Sequence, residues 1–189
     1  VQVVIIPIAQ KKEGVLEKAN ELYDKLKSKG IRVELDDSTE YSPGWKFNQY
    51  EMKGYPIRIE IGPRDIENNQ AVAVRRDKLE KEMISLDNIE NTISDILDAM
   101  QVDLFEKAKA HREANTYVVE DYEQYKKDLP KRPGFAKMMW CGERECEDKL
   151  KEETGATIRC IPFEQENLGD KCHICGKPAK HMIYAARAY

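Results

Sequence analysis

The sequence predicts two small layered domains. Residues 1–110 read as an α/β domain with a mainly parallel or mixed sheet flanked by helices, and residues 111–189 as a small α+β domain. Three observations predict this. Strand and helix signals alternate through the first hundred residues, a long amphipathic run follows from Ile89 to Ala108, and all five cysteines lie beyond position 140.

Val3–Ile8 is a short apolar run suited to a strand buried on both faces. After Gly14, the residues Val15, Leu16, Ala19, Leu22, Tyr23 and Leu26 recur at helical spacing, and Gly30 closes that helix. Ile31, Val33 and Leu35 alternate with Arg32 and Glu34, as in a half-buried strand. Trp45–Lys53 reads as a short helix ended by Gly54. In the strand after Pro56, Ile57, Ile59 and Ile61 share one face and Arg58 and Glu60 the other. Gln70–Val74 and Glu82–Leu86 are further strand-like runs. The long helix keeps its rhythm through Ile93, Ile96, Leu97, Met100 and Leu104, with Asp87 or Asn88 as N-cap. Beyond Thr116 the pattern restarts, with a polar helix over Tyr122–Leu129 and a strand over Phe135–Trp140. A helix over Glu143–Glu153, a strand over Thr157–Phe163 and a last strand over His181–Tyr189 complete it.

The composition narrows the function. With 31 basic and 35 acidic side chains, the net charge of −4 argues against a protein held to nucleic acid by bulk positive charge, but leaves recognition by a few placed residues open. No apolar run is long enough to span a membrane, and no secretory signal opens the chain, so a cytoplasmic protein without membrane attachment is expected. The start at Val1, inside a strand-like run, suggests a longer parent chain extending towards the N-terminus.

An odd number of cysteines without a secretory signal speaks against a disulfide framework. Four residues separate Cys141 from Cys146, two separate Cys172 from Cys175, and twenty-five lie between the pairs. Two short-spaced pairs are the layout of a tetrahedral thiolate zinc site, and Gly176 permits the tight turn after the second pair. Four thiolates leave no open coordination position, so such a site is structural. Its metal would supply roughly 10 kcal/mol or more of folding free energy to a small domain. Four unrelated buried cysteines and a redox pair at Cys172/Cys175 are the competing readings, and His173 and His181 are spare ligands. Cys160, in an alternating run, reads as a small core residue.

The segment 44–65 gathers aromatics, carboxylates and arginines around one strand. Phe47 and Glu51 are four apart on the short helix and share a face. Arg58 lies on the polar face of the next strand, and Arg64 and Asp65 sit just past its end, where ligands bind in parallel sheets. An aromatic with paired carboxylates and guanidiniums suits single-stranded guanines: a carboxylate accepts from N1–H and N2–H₂, and Arg donates to O6 and N7. Surface salt bridges such as Arg58–Glu60 or Arg64–Asp65 account for the same charges equally well.

The motifs together resemble one family. Val1–Ile8, Gly44-Trp-Lys-Phe47, Glu51-Met-Lys-Gly54 and Pro56-Ile-Arg-Ile-Glu-Ile-Gly-Pro-Arg-Asp65 resemble the anticodon-binding domain of the prolyl-tRNA synthetases, class II aminoacyl-tRNA synthetases. The four-Cys spacing, Arg159-Cys-Ile-Pro162 and the terminal Ala-Arg-Ala-Tyr189 resemble the zinc-containing C-terminal domain of the eukaryote/archaea-like type. The resemblance implies the C-terminal part of a proline–tRNA ligase, whose full-length enzyme uses ATP and Mg to charge tRNA(Pro). It implies that Phe47, Glu51, Arg58, Arg64 and Asp65 read two adjacent guanines of the anticodon stem-loop. Position 64 is often Lys in relatives, and Arg offers a forked donor in its place. It implies structural zinc on Cys141, Cys146, Cys172 and Cys175. It also implies a terminal carboxylate of Tyr189 directed towards the catalytic domain of the same enzyme, and a homodimer formed through that domain, so that this piece alone is monomeric. The catalytic motifs are missing from these residues and no Gly-rich phosphate loop is present, so the chain alone should not activate proline. The alternatives are a free-standing RNA- or protein-binding module of the same fold, and an independent thiol or zinc hydrolase.

Overall fold

The computed structural model of the chain describes residues 1–188. The chain divides into two compact units, Val1–Phe105 and Glu106–Tyr189.

The first unit is built around a five-stranded mixed sheet. Its elements are β1 (Val3–Pro7), α1 (Val15–Ser28), β2 (Val33–Leu35), α2 (Pro43–Met52), β3 (Ile57–Ile61), α3 (Pro63–Glu67), β4 (Gln70–Arg75), β5 (Lys81–Ser85) and the start of α4 (Ile89–Ala114). The strand order is β2-β1-β3-β4-β5. β1 pairs in parallel with β2 and with β3, whereas β3–β4 and β4–β5 are antiparallel. Only half the pairings are parallel, fewer than the alternation of strand and helix signals predicts. The reason is loop length. A parallel crossover needs a dozen or more residues, and the β3–β4 connection is the short α3 turn.

β1 and β3 are buried on both faces. Val3 and Ile5 join Leu22 and Leu26 of α1, Ile57, Ile59 and Ile61 of β3, and Ile89 and Ile93 of α4 in the main core. Val4 and Ile6 point the other way and pack with Tyr50 of α2, flanked by Phe47 and Tyr55. The period of two thus sorts β3 as well: its isoleucines enter the main core, and Arg58 and Glu60 fall on the α2 side. That polar face is not solvated, because Arg58 and Glu60 are both buried.

The second unit holds β6 (Thr116–Val118), α5 (Tyr122–Asp128), β7 (Phe135–Trp140), α6 (Arg144–Thr154), β8 (Ala156–Cys160) and β9 (His181–Arg187), in the sheet order β6-β7-β9-β8. Its core combines Tyr122, Tyr125, Leu129, Met138, Leu150 and Ile183 with the sulfurs of Cys141, Cys146 and Cys172. Gly134 precedes β7 at φ 142°, where a Cβ would stand 2.2 Å from the Asn115 carbonyl oxygen that accepts from the Phe135 N–H. Only glycine fits that approach.

Two expectations need correction here. The strand expected over Thr157–Phe163 ends at Cys160, where a bulge between Ile158 and Cys160 breaks the register with β9. Cys160 is therefore exposed rather than a core residue, and it lines an open pocket of about 710 Å³ beside Arg159 and Tyr184. The last strand ends at Arg187. Tyr189 and its carboxylate lie outside the described residues.

Candidate anticodon interface and metal centre

In the first unit the site begins with α2. Ser42 caps the helix by accepting from the Trp45 N–H, and Pro43 occupies its first turn. Lys46 anchors it. This lysine is only 3% exposed, and its ammonium reaches Asp36 Oδ1 at 2.8 Å and the carbonyls of Asp36 and Ser38 at 3.0 and 2.7 Å. Neither composition nor periodicity singles Lys46 out, since a lysine on a short polar helix reads as solvated. Tyr50 reinforces the anchor by donating towards Glu34 and Asp36, and Tyr55 donates to Glu34. The hydrogen bond to Glu34, aided by burial, pushes the Tyr55 hydroxyl up to about 12.

With α2 fixed against the sheet, three of the five expected side chains converge. The Arg58 guanidinium lies 4.2 Å from the Phe47 ring centre. Its Nη1 donates to Glu51 Oε1 at 2.6 Å and its Nε to Glu60 Oε1 at 3.1 Å. Lys81 closes the network on Glu60 Oε2 at 3.0 Å. The two carboxylates and two cations cancel, which is how this charge tolerates burial. Glu51 Oε2 and Arg58 Nη2 make no hydrogen bond among the described residues, and Glu51 keeps a third of its side chain exposed. The crevice lined by Glu51, Tyr55 and Arg58 holds about 10 Å³, the limit for one water. That volume is far too small to enclose a nucleobase.

Arg64 and Asp65 stand apart from the trio. Asp65 Oδ2 accepts from the Gly62 N–H at 2.8 Å and so holds the first turn of α3, while Arg64 is exposed. Neither makes an ion pair among the described residues. The Arg58–Glu60 salt bridge anticipated as a surface alternative does form, but it is buried.

The second unit brings the four expected cysteines together. Cys141 follows the last residue of β7, Cys146 sits in the first turn of α6, and Cys172 and Cys175 flank a tight turn. In that turn the Gly176 N–H bonds the Cys172 carbonyl and the Cys172 N–H bonds the Lys177 carbonyl. The four Sγ atoms lie within 4.8 Å of one another, with 3.5 Å between Cys141 and Cys146 and 3.7 Å between Cys175 and Cys141. These distances are far too long for disulfides. They fit sulfurs about 3.8 Å apart, as a tetrahedral ion with 2.3 Å metal–sulfur bonds requires. Burial pushes the Cys146 thiol well up. Burial opposes ionisation of Cys175 as well, but the Lys177 N–H and the neighbouring thiols outweigh it and bring Cys175 down to about 7. A cation held by these four sulfurs would supply the charge that lets them ionise together. His173 Nδ1 accepts from the Met139 N–H at 2.9 Å, which occupies it elsewhere.

Comparison with known proteins fits both units. The family model described as "Anticodon binding domain" matches residues 2–96. The chain belongs to the anticodon-binding domain family. The model "Prolyl-tRNA synthetase, C-terminal" matches residues 122–189, so the anticodon-binding domain is joined to a domain of that second kind. Whole-chain relatives include proteins named proline–tRNA ligase from Acetoanaerobium sticklandii, 64% identical, and Alkaliphilus oremlandii, 61% identical. Proline–tRNA ligase 2 from Clostridioides difficile is 57% identical. Each match covers 100% of this chain, and the chain spans 39% of each relative's length. No helix among the described residues is long and apolar enough to cross a membrane.

Proposed function

We propose that this chain is the anticodon-reading, metal-stapled C-terminal part of a cytoplasmic proline–tRNA ligase. Its partners are the tRNA(Pro) anticodon stem-loop and the catalytic domain of the same enzyme. That domain uses ATP and Mg to charge the tRNA and pairs two chains into a homodimer. The observation that carries the reading is the convergence of Phe47, Glu51 and Arg58 in an anticodon-binding domain, with one carboxylate oxygen and one guanidinium nitrogen left for a ligand. Glu51 Oε2 accepts from the N1–H and N2–H₂ edge of one guanine, and Arg58 Nη2 donates to its O6 or N7. Arg58 already covers one face of Phe47, so the base stacks over the guanidinium or against the ring's remaining surface. Arg58 and the end of β3 are about 10 Å apart, which suits the second guanine of a doublet lying at Arg64 and Asp65.

The metal is zinc, held by Cys141, Cys146, Cys172 and Cys175. It contributes folding free energy, because four thiolates fill its coordination sphere. The free-standing accessory module is less favoured, since the relatives that match this chain over its whole length are named proline–tRNA ligases more than twice as long. Titrating the chain with anticodon stem-loops carrying the guanine doublet or adenines in its place tests the reading. Discrimination of about 1–3 kcal/mol per lost base contact supports it, and equal affinity contradicts it.

A further inference from the structure

A second patch on the anticodon-binding unit has the chemistry of a single-stranded nucleotide site and is used by nothing above. Tyr41 and Trp45 stack with ring centres 3.8 Å apart and planes 15° from parallel, yet remain 49% and 45% exposed. Tyr41 lines an open pocket of about 550 Å³ at the carboxyl ends of β1 and β2. The sheet order reverses at β1, which has parallel neighbours on both sides. In open α/β sheets that is where ligands bind. Lys11, Lys12 and Lys46 line the pocket and no carboxylate does. Lys46 is neutralised by Asp36, but Lys11 and Lys12 are exposed and make no ion pair among the described residues. Gln10, on the same wall, holds the Asp37 and Ser38 carbonyls through Nε2 and leaves Oε1 without a partner.

Resting on the guanine-doublet reading, we propose that this patch is a further RNA subsite, taking the unpaired nucleotide next to the doublet. The base stacks on the Tyr41–Trp45 pair, and its phosphate lies against Lys11 and Lys12. Helix α2 makes the two sites neighbours: Trp45 and Phe47 flank the buried Lys46 on opposite sides of one helical turn. A strand crossing α2 meets aromatic surface on both flanks. An exposed aromatic stack beside unpaired ammoniums is the pairing that single-strand binders use, stacking for the base and positive charge for the backbone.

The test uses the 189-residue chain and anticodon stem-loop transcripts with 2-aminopurine on the 5′ or the 3′ side of the doublet. Wild type is expected to quench the probe at one flank. The Tyr41→Ala/Trp45→Ala double variant should lose that quenching and bind about tenfold or more weakly. Its preference for the doublet over swapped bases should stay within twofold of wild type. Lys11→Glu/Lys12→Glu touches only exposed loop residues and should lower the slope of log affinity against log salt by about 1–2. Quenching at neither flank overturns the proposal, as do both double variants binding with wild-type affinity and salt slope. Equal wild-type affinity for doublet and swapped loops instead contradicts the doublet site, so the two readings fail by different measurements.

Discussion

The two polar clusters of this chain solve the same problem in opposite ways. In the first unit, Arg58, Glu51, Glu60 and Lys81 neutralise one another within a sheet–helix layer whose stability comes from an aliphatic core of Ile5, Leu22, Ile57, Ile59 and Ile93. The cluster leaves one acceptor, Glu51 Oε2, and one donor, Arg58 Nη2, without a hydrogen bond among the described residues. In the second unit, Cys141, Cys146 and Cys172 are themselves part of the core, and a cation bound by the four thiolates would have no ligand position open. A polar cluster with its own hydrophobic support can be spent on recognition, whereas one that replaces hydrophobic support has to be closed.

The largest expected effect separates the two units. Stripping metal with a chelator, or replacing Cys172 by Ser, should remove roughly 10 kcal/mol of folding free energy from the second unit. The first unit should still melt cooperatively. Amide spectra that lose the dispersed signals of residues 116–187 while keeping those of 3–96 would show this. Collapse of both sets together would break the comparison.

Next is Arg58→Ala, which leaves the part-buried Glu51 without its partner and the buried Glu60 with Lys81 alone. It should cost about 3–5 kcal/mol by denaturant titration, because breaking one side of a buried ion pair leaves an uncompensated charge. A loss of discrimination in that variant therefore mixes unfolding with recognition. Glu51→Gln is the cleaner probe, since Glu51 is a third exposed and an amide still accepts from Arg58. It should leave stability within about 1 kcal/mol of wild type and reduce doublet discrimination by about 1–3 kcal/mol. A stability loss as large as that of Arg58→Ala would mean the cluster is structural, like the cysteines.

The smallest effect is alkaline. The Tyr55 hydroxyl is raised, chiefly by its hydrogen bond to Glu34, to about 12, above an unfolded value near 10. Its stabilising contribution is complete below pH 10 and is lost as pH rises towards 12. Burial raises Tyr125 of the second unit to about 12 as well. Glu34→Gln should lessen the alkaline loss in the first unit only, without abolishing it, because burial and Asp36 still hold the Tyr50 hydroxyl up. An unchanged pH profile of its denaturation midpoint would remove Glu34 from the account.

Much of this was legible in the residues. The period of two in Pro56–Ile61 correctly divided β3 into an isoleucine face and an Arg58/Glu60 face, and the cysteine spacing anticipated a closed four-sulfur cluster. Periodicity could not say that the polar face of β3 would be covered by α2, because that depends on the docking of a helix rather than on the strand. For the same reason the sequence pattern does not mark Lys46: its burial depends on the Asp36 and Ser38 carbonyls meeting it just past the end of β2. The antiparallel half of the sheet follows from the shortness of α3, and the exposure of Cys160 from a bulge. Alternation within a strand encodes neither.

The most direct test is a double cycle crossing Glu51→Gln with guanine→inosine at each position of the doublet, read as affinity of the chain for the stem-loop. Inosine lacks the N2 amino group that a carboxylate accepts from. At one of the two positions the inosine penalty should be about 1 kcal/mol or more in wild type and vanish in Glu51→Gln. An inosine penalty of the same size in both proteins, at both positions, would contradict Glu51 as the reader of that base.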